Sequence, residues 1–499
     1  MGVIAKQSIR GTIVTYIGVA VGFVTTFFVL TRFLTTEEVG LARVLVDAAT
    51  LFIGLAQLGT TSSIIRFYPY FKEPDDSSDV SDHGFFFWTL VVPLAGFILF
   101  SIVYCVCNVP LGHWFDEKSP LFMDYYYAIL PLAFFMLYQS VFETNANVLM
   151  RIVVPRAVRE IGVRVGLLAV YLLYAFRVLS LDGFVASLGV VYAVAAVINV
   201  FYVFSVRRIT LRPDWAFLRE HKQVVRRYLR YTLFLFVSAL ASVLAPVLSS
   251  FFITAQMGLN YTGIFAIATY MATMVSIPYR SVTAIAAPQL AAAIKERDRR
   301  QTITLIRQCS NNLLLIGGMI FLLIWINIDL IYHILPNGTT YAAAKNVVFI
   351  LGLSQLILAT FNIVLSALNY SRFYAFSLLY SVVLTVTALV LNNRLIPLYG
   401  IDGAALSNLL SYALYFLLIV GTLHIAAGVS PWSRNMFKTL ALLLAVFAAD
   451  WVWQRWLPIP NLWLSSLVRT AVLMGAGAVI AFRYRLSPEI NEWINSRRV

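Results

Sequence analysis

Charge is scarce in this 499-residue chain: Asp, Glu, Lys and Arg make up 12% of it, against 60% hydrophobic residues. A soluble globular domain carries about 25% charged residues, so that class is excluded. Cysteine is rarer still. Cys105 and Cys107 share one apolar stretch and Cys309 sits in another; three such residues cannot form a disulfide framework and read as small core side chains. The five histidines (His83, His113, His221, His333, His424) fall in links or at the ends of apolar runs, without metal-ligand spacing. No Walker sequence occurs, so this chain is not expected to hydrolyse ATP. The run Asp75-Asp76-Ser77-Ser78-Asp79 lacks the second acidic cluster that a Mg²⁺-diphosphate site needs, and reads as a solvated loop. The links are too short for the external domain of a sugar polymerase or ligase. Neither an enzyme nor a cofactor is expected.

What the chain has in abundance is long apolar runs. A helix needs about twenty apolar residues to cross a hydrocarbon core of about 30 Å. Such runs recur from end to end, near 9–33, 41–66, 84–107, 124–149, 160–179, 183–206, 230–255, 261–286, 303–326, 342–366, 373–392, 402–423, 438–455 and 465–482. Continuous runs, rather than short alternating segments, select helices over a membrane barrel. The first run is too long for a signal-peptide core and has no small-residue cleavage site, so it is expected to remain as a span. The fold class is therefore an all-α polytopic membrane protein of about fourteen helices.

The net charge of +14 points to a membrane orientation rather than to nucleic acid. With the N-terminus inside, 29 of the 37 lysines and arginines fall on the inner side and 8 on the outer. Positive charge collects in cytoplasmic loops, so both termini are expected in the cytoplasm. The longest link, Arg207 to Arg230, is basic; Pro213-Asp214 followed by Trp215-Ala216-Phe217-Leu218 suggests a short helix lying on anionic lipid. It falls between two similar halves. Glu37-Glu38-Val39-Gly40 and its preceding residues match Gln256 to Gly263 at an offset of 223, and Leu181-Asp182-Gly183 matches Ile401-Asp402-Gly403 at 220. Six spans per half is an even number, so the repeats are parallel, as in many secondary transporters. The expected division is an N-lobe over 1–206, the linker over 207–229, a C-lobe over 230–425, and an extra helix pair with the tail over 426–499.

Charges inside spans cost roughly 2.5–3.5 kcal/mol each on insertion scales, so they should face a partner or a wet cavity. The first helical pair carries Arg32, Arg43, Asp47 and Arg66. Asp47 follows Arg43 by one helical turn and can pair with it; otherwise the guanidinium groups suit phosphate oxygens. Arg280, after Pro278 in the repeat-mate of span two, is the matching candidate in the second half. In span four Gln139 and Glu143 share a face, where a buried carboxylate is a common proton or cation site; Glu143 could instead pair with Arg164 or another base near span five. Asp450 among Trp451, Trp453 and Trp456 reads as part of an interfacial aromatic belt.

The first span, with Lys6 before it and Arg32 closing it, then Glu37-Glu38-Val39-Gly40, the repeat of that link at Asn260-Tyr261-Thr262-Gly263 and the two Asp-Gly starts together resemble the multidrug/oligosaccharidyl-lipid/polysaccharide exporter superfamily. Over roughly residues 1–425, with fourteen spans, the chain looks most like its polysaccharide transporter branch, the lipid-linked oligosaccharide flippases of bacteria. The resemblance implies two six-helix lobes in a V around a central cavity, alternating access, a monomer, and residence in the bacterial inner membrane. Its implied substrate has an isoprenoid tail, a pyrophosphate and a sugar chain, destined for surface polysaccharide such as the O-antigen of lipopolysaccharide. On that reading Arg32, Arg43, Asp47, Arg66 and Arg280 bind substrate, and Gln139, Glu143 and Arg164 couple an ion, with H⁺ and Na⁺ both open. Lipid II flippases carry several arginines through their first helix; here Gly22-Phe23-Val24-Thr25-Thr26 has none before Arg32. A cation-coupled multidrug antiporter and a membrane glycosyltransferase are the alternatives.

Overall fold

The structure is a computed structural model describing residues 3–71, 83–149, 151–206, 212–220, 222–457 and 459–488. The acidic run from Asp75 to Asp79 lies outside these, as does the side chain of Arg66. Helices and turns are the only elements among the described residues. Ten helices there are long and apolar enough to cross a membrane. With the composition, this makes the chain a multi-pass membrane protein. Contacts divide it into two compact units, Met1–Gly263 and Ile264–Val499.

In the first unit, α1 (Val3–Val24) widens into a π turn at Thr25–Leu30 before ending at Phe33. The Thr25 hydroxyl donates to the Val21 carbonyl at 2.8 Å and the Thr31 hydroxyl to Phe27 at 2.7 Å. Such back-bonding loosens the regular ladder, and a π turn results. Leu34 is extended, and Thr35 caps α2 (Thr36–Ala56) in a reciprocal capping box with Glu38. The second apolar run is not one helix. Leu58 and Gly59, both with positive φ, break it into α2 and α3 (Thr60–Phe71). There follow α4 (Phe85–Val106), α5 (Ile129–Val148), α6 (Val163–Ala175), α7 (Leu181–Val206), the short α8 (Trp215–Glu220) and α9 (Lys222–Met257). Helix α9 is unbroken over 36 residues, so part of the basic link is already helical. Helix α5 is not among the ten apolar spans, because Gln139, Glu143 and Asn145 lower its hydropathy.

The first unit also contains the start of α10 (Leu259–Thr273). There Thr36 Oγ1 donates to Asn260 Oδ1 at 2.8 Å. A Cβ on Gly40 would stand 2.0 Å from the Leu259 carbonyl oxygen, and one on Gly263 would stand 1.9 Å from that of Thr36. The two contacts exchange under the offset of 223 that relates the two links in sequence. Only glycine lets the backbones approach so closely.

In the second unit α11 (Ile277–Lys295) and α12 (Arg299–Ile326) precede α13 (Lys345–Tyr370) and the 53-residue α14 (Ala375–Ala427). Helix α14 is interrupted at Gly400, whose φ of 60° and ψ of −136° are non-helical. The break separates the stretches expected as the eleventh and twelfth spans. Helices α15 (Arg434–Trp456), α16 (Leu462–Arg469) and α17 (Gly475–Arg483) follow, the last two joined by a π turn; Met436, Leu442, Leu443 and Val446 of α15 and Leu473 of that turn share one core with Leu314, Leu315 and Phe321 of α12.

Polar contacts fix the same seam. Asn311 donates to the Leu486 carbonyl at 2.7 Å and accepts from Thr439 at 2.9 Å. Arg469 Nη1 lies 3.0 Å from Asp450 Oδ1, its Nη2 donates to the Ile326 carbonyl at the end of α12, and Gln454 donates to the other oxygen of Asp450. Asp450 is therefore not a belt residue: it is 1% exposed and Arg469 4%. Trp451 and Trp456 are exposed and Trp453 packs on the core, while the carboxylate turns in to a base nineteen residues away.

Two predictions follow from these contacts. Gly40→Ala and Gly263→Ala should each cost about 1–3 kcal/mol of stability, because the new methyl meets backbone rather than a yielding side chain; melting in detergent measures this, and Gly189→Ala, with open space around it, is the control. Arg469→Ala, which strands a buried carboxylate, should cost about 3–5 kcal/mol, and Asp450→Asn in the same chain should restore part of the folded yield.

Candidate functional site

Between the Val153–Ala157 turn and α6 the chain forms a second π turn, Val158–Gly162. It carries Arg159 and Glu160, and α6 presents Arg164 one turn later. Glu143 on α5 accepts from Arg159 at 2.8 Å; Arg159 also reaches Glu160 at 3.2 Å, and Glu160 pairs with Arg164 at 3.1 Å. The result is an alternating ladder of two carboxylates and two guanidinium groups. Its acids are buried, while Arg159 keeps 47% of its side chain exposed. Helix α1 is grooved to receive this segment. A Cβ on Gly18 would stand 2.3 Å from the Glu160 carbonyl oxygen, and one on Gly22 would stand 3.5 Å from the Arg164 side chain.

Polar groups extend along α5 above the ladder. Gln57, at the end of α2, donates to Ser140 at 3.0 Å and accepts from Thr61. Gln139 Nε2 and both amide atoms of Asn199 on α7 are buried without a hydrogen-bond partner among the described residues. Packing of Val203 with Phe142 and Ala146 sets α7 against this stretch of α5.

The expected site residues divide into three sets. Arg43 Nε and Asp47 Oδ2 lie 2.8 Å apart and pair along α2, as their spacing foretold. Gln139, Glu143 and Arg164 belong to one polar region, but Arg159 takes Glu143 and Glu160 takes Arg164. Arg32 is exposed with its guanidinium carbon 5.5 Å from the Phe33 ring, and Arg280 is exposed on α11 of the second unit; neither has an ion pair among the described residues. Sequence reasoning missed Arg159 and Glu160. The signal available was the density of charge in Arg156-Ala157-Val158-Arg159-Glu160.

Among the described residues no three His, Cys, Asp or Glu side chains gather as a metal site.

A family model described as polysaccharide biosynthesis protein matches residues 4–291. The chain belongs to that family. This agrees with the exporter resemblance drawn from the first helical pair. Solved structures share the fold of the whole family member. A lipid II flippase, MurJ, in an inward closed conformation has a TM-score of 0.66 at 10% identity, covering 95% of this chain and 99% of that one. An inward-facing multidrug resistance MATE transporter of the MOP superfamily gives 0.61 at 14%, covering 86% and 99%. A MATE transporter from Vibrio cholerae gives 0.54 at 14%, covering 84% and 97%. No curated relative matches in sequence. The chain of this polysaccharide biosynthesis family thus shares its fold with these flippase and exporter structures.

The ladder makes a prediction. Arg159→Ala should cost on the order of 1–3 kcal/mol, since it removes charged hydrogen bonds from two buried carboxylates while Arg164 still holds one. Adding Glu143→Gln should recover part of the lost melting temperature; an additive loss in the double variant would show that Arg159 acts elsewhere.

Proposed function

We propose that this protein is a flippase for lipid-linked oligosaccharide, carrying an undecaprenyl pyrophosphate-linked glycan from the inner to the outer leaflet of a bacterial inner membrane by alternating access. Both termini lie in the cytoplasm on this reading, which the excess of inner-side lysine and arginine supports. The observation that carries the proposal is the family: a chain with a transporter's fold belongs to polysaccharide biosynthesis, where the object to be moved is a glycan on a lipid. The charge pattern supports it. Among the expected site arginines, Arg43 and Arg164 are committed to carboxylates and the Arg66 side chain lies outside the described residues, so Arg32 and Arg280 are the exposed guanidinium groups suited to pyrophosphate oxygens. Gln139, Glu143 and Arg164, with Arg159 and Glu160, form the network through which H⁺ or Na⁺ would be coupled.

A cation-coupled export of small molecules is the second reading, favoured by the shared fold with MATE transporters. Deletion separates the two. Loss of surface glycan with accumulation of lipid-linked units on the inner leaflet supports the flippase; drug sensitivity with intact glycan supports the antiporter. A shift in glycan chain length without accumulation would indicate a polymerase.

Arg32→Ala and Arg280→Ala should each lower surface glycan about tenfold or more at unchanged protein level, since a charged hydrogen bond contributes about 1.5–3 kcal/mol. Full activity in both would place the pyrophosphate elsewhere.

A further inference from the structure

The link between α7 and α9, with the start of α9, is held against α3, α4 and the residues before α4 at four places. His83 Nδ1 lies 3.0 Å from Asp214 Oδ2. Gly84, at a φ of 72°, takes the backbone of Arg212, Pro213 and Asp214 so closely that a Cβ would stand 2.5 Å from the Arg212 carbonyl oxygen. Trp88 meets Trp215 edge to face at 5.6 Å. Farther on, Tyr228 packs its ring on Phe67 and Phe85, and Thr232 bonds Ser63 at 2.7 Å. A tether between two membrane helices needs none of these contacts.

Their effect on charge is specific. Asp214, an acid within the basic stretch, is turned to His83. Arg212, Arg219, Lys222, Arg226 and Arg227 remain exposed, and none of the five has an ion pair among the described residues. Lys222 and Arg226 stand one turn apart on α9, and Arg227 is beside them. Trp215, 57% exposed, lies at the start of the same stretch. A segment joining two membrane helices lies at the bilayer surface, where tryptophan and polybasic runs meet headgroups.

We propose that this docked linker is a binding surface for anionic phospholipid headgroups, with Arg219, Lys222, Arg226 and Arg227 contacting phosphate and Trp215 inserted at the interface. The contacts at His83, Gly84 and Trp88 hold the cations in place before lipid arrives, so less ordering entropy opposes binding. The surface is independent of what the protein carries. Each cation near an anionic surface strengthens binding about fivefold, and the attraction weakens with salt.

The test is melting of the full chain in neutral detergent micelles with added phosphatidylglycerol, phosphatidylcholine, inorganic phosphate or soluble polyglutamate. Phosphatidylglycerol should raise the midpoint, phosphatidylcholine should not, and the increment should shrink between 50 and 500 mM NaCl. In R219Q/R226Q/R227Q the phosphatidylglycerol concentration for half the increment should rise about 100-fold, with the lipid-free midpoint unchanged. If that variant melts early without lipid, the single variant R226Q should show the smaller, roughly fivefold shift. An unchanged lipid response in either variant overturns the proposal. So does protection by inorganic phosphate or polyglutamate equal to that by the lipid, which would assign the face to a soluble anion or an acidic protein.

Discussion

An ionised side chain at membrane depth has two stable fates: a partner of opposite charge or contact with water. The rest of this structure is arranged around that constraint. Arg43 is matched to Asp47 within one helix, Glu143 and Glu160 to Arg159 and Arg164 across two, and Asp450 to Arg469 beside the open end of α12. Each match also dictates a backbone feature. The ladder sits on the π turn at Val158–Gly162 and on a first helix pared to glycine at Gly18, because a side chain there would push Glu160 away.

These pairings differ in kind. The Asp450–Arg469 pair is closed: Arg469 also caps the last carbonyl of α12, and hydrophobic side chains surround the seam. Breaking it would strand both charges, so it serves as a fixed brace for the extra helices. The ladder is open at Arg159, whose exposed guanidinium bridges two carboxylates at once. An open, doubly paired arginine can release one acid while keeping the other. On the proposed reading that property suits a carrier that must change partners during a cycle, and the brace has none of it.

How far the sequence spoke for the fold depended on distance along the chain. Arg43 and Asp47 were legible because four residues make one helical turn. Glu143 and Arg159 are sixteen residues apart, across a turn and a π bulge that no apolar pattern records. Asp450 was misjudged for the same reason: its tryptophan neighbours signalled an interface, and its partner on another helix left no local trace. Apolar runs located helical stretches well, since lipid demands length and hydrophobicity. They could not show that Leu58 and Gly59 cut the second run, because a break of two residues hardly alters its mean hydropathy. Nor did hydropathy favour α5, whose polar strip is the feature that matters.

The charges left uncommitted then acquire meaning by subtraction. A chain that pairs Arg43, Arg159, Arg164 and Arg469 with carboxylates retains Arg32 and Arg280 exposed, one in each unit. Long side chains ending in water cost little only where water is present. Each therefore lies at the membrane surface or borders a hydrated space within it, and a diphosphate could enter either place without first displacing a carboxylate. That last point separates them from the ladder: a phosphate competing for Arg159 would have to match two acids already bound, whereas at Arg32 or Arg280 it competes only with solvent. On the proposed flippase reading, binding a doubly charged headgroup at groups that are free and coupling ions at groups that are shared would be demands that one set of arginines could not meet together.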